Sequence, residues 1–270
     1  MGSPTVQELN DLTGKVPPIT GGARNLGFDM ACALAEAGSD VAVTGRTLEA
    51  VQKTAAQIHR ETGRNAQGFA CDVRSEDQVE TLVTDVLKEF GKIDILVNNA
   101  GNVVSTPENK PLEQRPGSEW DNTIDVNMKG VFLCAKHVVA KAMKPAHRGV
   151  IVNIGSVAGM VGKDYRVYEG TTMGGVTIDY AAAKGGVINM TREMACWLAQ
   201  CNIRVNCISP GGFWRRQPEQ FHRQYNYLVP MGRMGEDGKE MKGAVVFLAS
   251  EASSYVTGIN LPVDGGMTAW

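Results

Sequence analysis

Three observations predict an α/β fold: one doubly wound parallel sheet with helices on both faces. Apolar runs of strand length alternate with longer stretches of helical period from residue 16 to the C-terminus. No linker, repeat or low-complexity segment interrupts that alternation, so residues 1–270 read as one domain. The chain has 270 residues, 43% of them hydrophobic, and 31 glycines, enough to bury a full core and to turn sharply between many elements.

The first strand falls at 16–20, where Pro17 and Pro18 each remove a ladder donor. It should therefore be shortened at its start, with Ile19 and Thr20 keeping the pairing. A glycine-containing turn leads into a helix at 27–37, which Gly38 stops, and a second strand, DVAVTG, follows at 40–45. The next helix spans 48–62, a short strand ends at Cys71, and Ser75 with Gln78 reads as a capping box for a helix that stops before Gly91. Further strands are predicted at 93–99, 149–155, 203–209 and 260–264, with helices at 118–143, 179–200 and 237–250. The total is seven strands.

Composition excludes several classes of function. The formal charge is 27 − 29 = −2, and like charges cluster no further than pairs such as Arg215-Arg216, so a nucleic-acid backbone finds no electrostatic footprint. The N-terminus has no apolar signal core and no stretch of eighteen uninterrupted apolar residues follows; a soluble, cytoplasmic protein with no membrane partner is expected. The six cysteines lie in apolar surroundings without C-x-x-C spacing and read as reduced core residues. The four histidines lack zinc-site spacing, so no metal is expected.

Two patterns point to chemistry. The turn Thr20-Gly21-Gly22-Ala23-Arg24-Asn25-Leu26-Gly27 lets backbone amides approach a pyrophosphate at a helix N-terminus, although glycine turns also serve only to pack a helix against a strand. Tyr180-Ala181-Ala182-Ala183-Lys184 places a phenol and an ammonium on one helix face. A free tyrosine titrates near 10, and a fixed cation beside it favours the phenolate, so Lys184 is expected to make Tyr180 the acidic proton shuttle.

With these motifs in this order, nearly the whole chain resembles the short-chain dehydrogenase/reductase family, whose turn pattern is T-G-x-x-x-G-x-G. Asn25 stands where that pattern has its middle glycine, and asparagine is the residue that best tolerates positive φ in glycine's place. The resemblance implies a Rossmann fold with sheet order 3-2-1-4-5-6-7 and a homotetramer. It implies nucleotide contacts from Gly21, Arg24, Asn25, Leu26 and Gly27, from Asp72 with Val73, from Asn99-Ala100-Gly101 of the N-N-A-G motif, and from Pro210-Gly211. It also implies a catalytic set: Ser156 bonds the substrate oxygen, Tyr180 moves its proton, Lys184 holds the nicotinamide ribose as well, and Asn127 relays protons to Lys184 through a water. Arg215 occupies the place of the threonine that usually contacts the carboxamide.

After the second strand the chain reads Thr44-Gly45-Arg46, with no carboxylate to accept the ribose hydroxyls of NAD, so Arg46 and Arg24 favour the extra phosphate of NADP, with NAD as the alternative. Ser156 and Tyr180 lie 180 − 156 = 24 positions apart, about twice the family's usual spacing, and the added stretch at about 164–175 carries Tyr165, Arg166, Tyr168 and Glu169. Tyr168 is a candidate substrate contact; Thr172, not lysine, follows it by four, so it is not the catalytic tyrosine. After Pro210 come Phe213, Trp214, Arg215, Arg216, His222 and Arg223, aromatic and cationic groups expected to order over a small polar or anionic carbonyl compound. The reading is an NADP-dependent secondary alcohol/ketone oxidoreductase similar to the gluconate 5-dehydrogenase and sugar-alcohol dehydrogenase branch. The alternatives are a 3-oxoacyl-thioester reductase and a non-catalytic, nucleotide-sensing relative.

Overall fold

The computed structural model describes residues 2–102 and 112–270. Its centre is a seven-stranded, all-parallel sheet of order β3-β2-β1-β4-β5-β6-β7. The strands are β1 (Pro18–Thr20), β2 (Val41–Gly45), β3 (Ala66–Ala70), β4 (Ile95–Asn98), β5 (Gly149–Ile154), β6 (Ile203–Pro210) and β7 (Asn260–Val263). As expected, β1 is short: Ile19 pairs with both Val43 and Val97, and Pro18 is tolerated as the strand's first residue. Pro17 still contributes its carbonyl, which accepts from the Ala42 amide at 3.1 Å.

After a short α1 (Val6–Asn10), α2 (Asn25–Glu36), α3 (Leu48–Thr62) and α4 (Glu76–Phe90) follow the first three strands. Gly63 and Gly91 close α3 and α4 in the left-handed region. The Ser75 side chain caps α4, but only half of the expected reciprocal box forms: Gln78 Oε1 reaches past Ser75 and accepts from the Asp72 amide at 2.9 Å. A long helix from α5 (Gly117–Ile124) through α6 (Gly130–Val138) to α7 (Lys144–Ala146) is widened into π turns at Asp125–Lys129 and Val139–Met143. Then come α8 (Ile178–Leu198), α9 (Glu219–Leu228) and α10 (Glu240–Ala249). No helix is predicted from the residues at α9, after the aromatic and cationic groups that follow Pro210.

The core divides by sheet face. Met30 and Leu34 of α2, Ile58 of α3 and Met241, Val245 and Leu248 of α10 pack with Ile19, Val43 and Val97 on one side. On the other, Val79 and Val83 of α4, Leu133 and Val138 of α6 and Ala195 and Leu198 of α8 pack with Leu96, Ile151 and Val205. All six cysteines are free; Cys32, Cys71, Cys134 and Cys207 are buried as expected, whereas Cys196 is exposed. No helix among the described residues is long and apolar enough to cross a membrane.

Candidate active site

β1 and β4 are neighbours in the sheet, and the chain leaves them towards opposite faces, so a crevice opens beyond their C-terminal ends. A groove of about 680 Å³ lies there. It brings together every residue singled out above for the nucleotide: Gly21, Arg24, Asn25, Leu26 and Gly27; Arg46; Asp72 and Val73; Asn99, Ala100 and Gly101; Pro210 and Gly211. Ser156, Tyr180 and Lys184 line its far end, while Asn127 sits behind the wall, fully buried.

The first wall is a brace of backbone and amide groups. Thr20 Oγ1 accepts from the Asn99 and Ala100 amides at 2.9 Å, and Asn99 Nδ2 donates to the carbonyls of Thr20 and Gly21 at 2.9 and 3.0 Å. The N-N-A-G segment thus clamps the glycine turn in place. Asn25 adopts φ 51°, the left-handed conformation its position demanded of a glycine substitute. Gly27 has no such freedom to give: a Cβ there would lie 2.2 Å from the Gly21 carbonyl oxygen, because helix and turn touch backbone to backbone.

Asp72 is held rather than free. Arg74 Nε and Nη2 grip its carboxylate at 2.6–3.0 Å, and those bonds hold its carboxyl below the usual carboxylate range. Arg74 and Asn122, joined at 3.1 Å, line the groove too and escaped the sequence reading, although Arg74 lies only two positions from Asp72. Arg24 and Arg46 are exposed on the groove without an ion-pair partner among the described residues. A crevice offering glycine-turn amides and two uncommitted guanidiniums fits a dinucleotide.

At the reacting end, α8 carries Tyr180 and Lys184. A Cβ on Gly159 would lie 2.5 Å from the Gly185 nitrogen, so the turn following Ser156 rests directly on the α8 backbone and brings Ser156 to Tyr180. Ser156 Oγ accepts from the Ala158 amide at 3.1 Å and is hydrogen-bonded to the Tyr180 phenol. Lys184 is buried; its Nζ donates to the Ile154 carbonyl at 2.7 Å and lies 5.7 Å from the Tyr180 ring centre. Asn127 occupies the first π turn, where Nδ2 donates to the Thr123 and Asn102 carbonyls at 3.0 and 2.8 Å and Oδ1 accepts from the Asn102 amide at 3.2 Å. Gly101 runs between Asn127 and Lys184; its missing Cβ would stand 3.0 Å from Asn127 Oδ1 and 3.7 Å from Lys184 Nζ.

The electrostatics correct one expectation. Burial pushes the Tyr180 phenol up, against the Ser156 hydrogen bond, and pulls the Lys184 ammonium down to about 8. In the chain alone, desolvation outweighs the Ser156 hydrogen bond, and the nearby ammonium does not reverse it. A further charge beside Tyr180 was not foreseen. Asp179 is buried in the first turn of α8 and pairs with Arg115 Nη2 at 3.1 Å, a contact across 64 positions that no local pattern signals.

The substrate-side segments differ from expectation as well. The Tyr168 ring does not stand free in the site: it is buried against Phe221, with centroids 5.3 Å apart, in a cluster with Val167, Tyr225 and Val229. Segment 164–175 is thereby docked on α9, and Gln220 Nε2 adds a bond to the Glu169 carbonyl at 2.9 Å. Of the cations after Pro210, Arg215 lines the groove but holds Asp237 with two bonds of 2.7 and 2.8 Å, and Arg223 faces Glu219. Trp214 stacks on His222 at 4.3 Å, and Phe213 is a core residue.

Fold and site together define an α/β oxidoreductase. A family model described as enoyl-(acyl carrier protein) reductase matches residues 21–268. The chain belongs to the short-chain dehydrogenase/reductase family, whose members use NAD or NADP and act on alcohol and ketone groups. It is 35% identical over 260 residues to a 3-oxoacyl-(acyl-carrier-protein) reductase of Chlamydia trachomatis, covering 95% of this chain and 98% of that protein. An NADP-dependent mannitol dehydrogenase of Hypocrea jecorina is 36% identical, with 98% and 97% covered. Among solved structures, a gluconate 5-dehydrogenase from Burkholderia cenocepacia in complex with NADP and tartrate superposes with a TM-score of 0.87 at 32% identity, covering 98% of this chain and all of that one.

Proposed function

We propose that this chain is an NADP-dependent oxidoreductase that interconverts a secondary alcohol and a ketone on a sugar acid or polyol. The nicotinamide nucleotide supplies the hydride or accepts it. Ser156 bonds the substrate oxygen and Tyr180 gives or takes its proton, while Lys184 binds the nicotinamide ribose and Asn127 keeps the Gly101–Asn102 wall in register behind it. In this reading Asn127 also holds the water that relays protons to Lys184.

The observation that carries the nucleotide preference is the pair Arg24 and Arg46, both lining the groove and neither bound to a carboxylate among the described residues. The sugar-type substrate is supported by segment 164–175, the long insertion between Ser156 and Tyr180 that packs on α9, and by the gluconate 5-dehydrogenase and mannitol dehydrogenase relatives. The 3-oxoacyl-thioester reductase reading stands beside it, favoured by the 35% identity to a reductase of that kind. Exposed Trp120, Phe132, Ile178 and Trp197 on α5, α6 and α8 support a homotetramer joined through those helices.

Nicotinamide absorbance assays on sugar acids, polyols and 3-oxoacyl thioesters, each with both nucleotides, decide between the substrates. In the same assay Arg46→Asp should lower the NADP-to-NAD ratio of kcat/KM by about 10- to 100-fold, the size of one lost charge-assisted bond. An unchanged ratio rules out Arg46 as the phosphate ligand.

A further inference from the structure

Seven positions after Ser156, Lys163 is half-buried with its ammonium 4.5 Å above the centre of the Tyr168 ring. Lysines elsewhere on the protein meet carboxylates: Lys129 meets Asp125, Lys141 meets Glu80 and Lys242 meets Glu36. Lys163 has none among the described residues. Its sequence neighbour Asp164 is turned to Arg166, whose Nη2 it holds at 2.6 Å while also accepting from the Arg166 amide. Burial alone, with no carboxylate opposing it, draws the amine down to about 8. A desolvated cation is costly unless something negative completes it, and an aromatic face compensates only in part.

The position says what that something is. The Tyr168 ring beneath Lys163 also borders Gly175, five residues before Tyr180, where an added Cβ would stand 3.5 Å from the ring. Across the same cluster, Tyr225 accepts from the Gly212 amide at 2.6 Å, next to groove-lining Gly211. Lys163 therefore sits on the aromatic cluster that joins the Ser156–Tyr180 segment to the wall after Pro210. We propose that Lys163 is the anion anchor of the substrate site, binding the carboxylate of a small hydroxy or keto acid while Ser156 and Tyr180 hold the reacting oxygen. This deepens the sugar-acid reading and rests on it for the choice of substrate, but the anion site itself can be tested apart from it.

The test measures binding of malonate, a carboxylate without hydroxyls, to the nucleotide-loaded protein, together with turnover of D-gluconate and D-glucitol, in wild type and in Lys163→Met, Lys163→Gln and Lys163→Arg. The Met and Gln variants should weaken malonate binding at least tenfold and lower the gluconate-to-glucitol ratio of kcat/KM by a similar factor, chiefly through KM; Arg should restore both. Malonate binding retained within twofold in either neutral variant overturns the proposal, as does a wild type that does not bind malonate. If wild type turns over no carboxylate substrate yet loses malonate binding with Lys163, the anion site stands and the sugar-acid reading falls. If wild type prefers gluconate and the neutral variants keep that preference, the reading stands and Lys163 is only a core cation.

Discussion

The two ends of the groove are built differently. The wall from Thr20 to Gly27 and Asn99 to Gly101 is held by short-range motifs that brace each other through backbone carbonyls and amides. The wall beyond Tyr180 is assembled from distant pieces: 164–175 on α9, Tyr225 on Gly212, Arg215 on Asp237, Asp179 on Arg115. The first kind of wall tolerates little change because backbone meets backbone, as at Gly27. The second can exchange side chains while the sheet stays intact, which is where relatives with different substrates can diverge.

The comparison breaks most sharply at Tyr180. Tyr180→Phe should cut kcat by about 10²- to 10⁴-fold, the usual value of a positioned proton donor, while nucleotide affinity changes less than about threefold. Turnover persisting in steady-state assays would remove Tyr180 from the chemistry. Next in size is Arg115→Met, which strands Asp179 in the interior beside Tyr180; the loss of one partner from a buried pair costs about 3–5 kcal/mol. Denaturant unfolding should show that loss, and the double variant Arg115→Met/Asp179→Asn should recover part of it. A single variant as stable as wild type would mean that the pair contributes nothing to the second wall.

The smallest effect concerns Lys184. Its folded value of about 8 lies below the 10.5 of an unfolded lysine, so between those pH values the unfolded chain holds a proton that the folded chain has released. Folding stability should therefore rise with pH across about 8 to 10 by this contribution, and unfolding curves of Lys184→Met should lack it. Equal slopes in the two proteins would show that the buried ammonium keeps an ordinary affinity for its proton. The same loss of charge above about 8 weakens the cation that Tyr180 faces.

The parts legible from residues alone share one property: their cause is local. Pro17 and Pro18 foretold a clipped β1, Asn25 a left-handed turn, and Gly38 and Gly91 both fall at helix ends and take positive φ. The spacing of Tyr180 and Lys184 placed both on one face of α8 and in one groove. What went unread depends on partners far along the chain. α9 is not legible locally because its apolar positions, Phe221 and Tyr225, find their partners in Val167 and Tyr168, some fifty positions earlier. Gln78 missed its half of the cap because the Asp72 amide competed for it.

Residue order by itself determined the alternation of strands and helices, the glycine turn and the pair on α8, since steric limits on φ and hydrophobic period act within a few residues. Tertiary structure alone decided the balance of charge around Tyr180 and the shape of the wall opposite it. Desolvation depends on everything that surrounds a group, and Arg115, Asp179, Lys163 and Tyr168 acquire their meaning only from neighbours that folding brings to them.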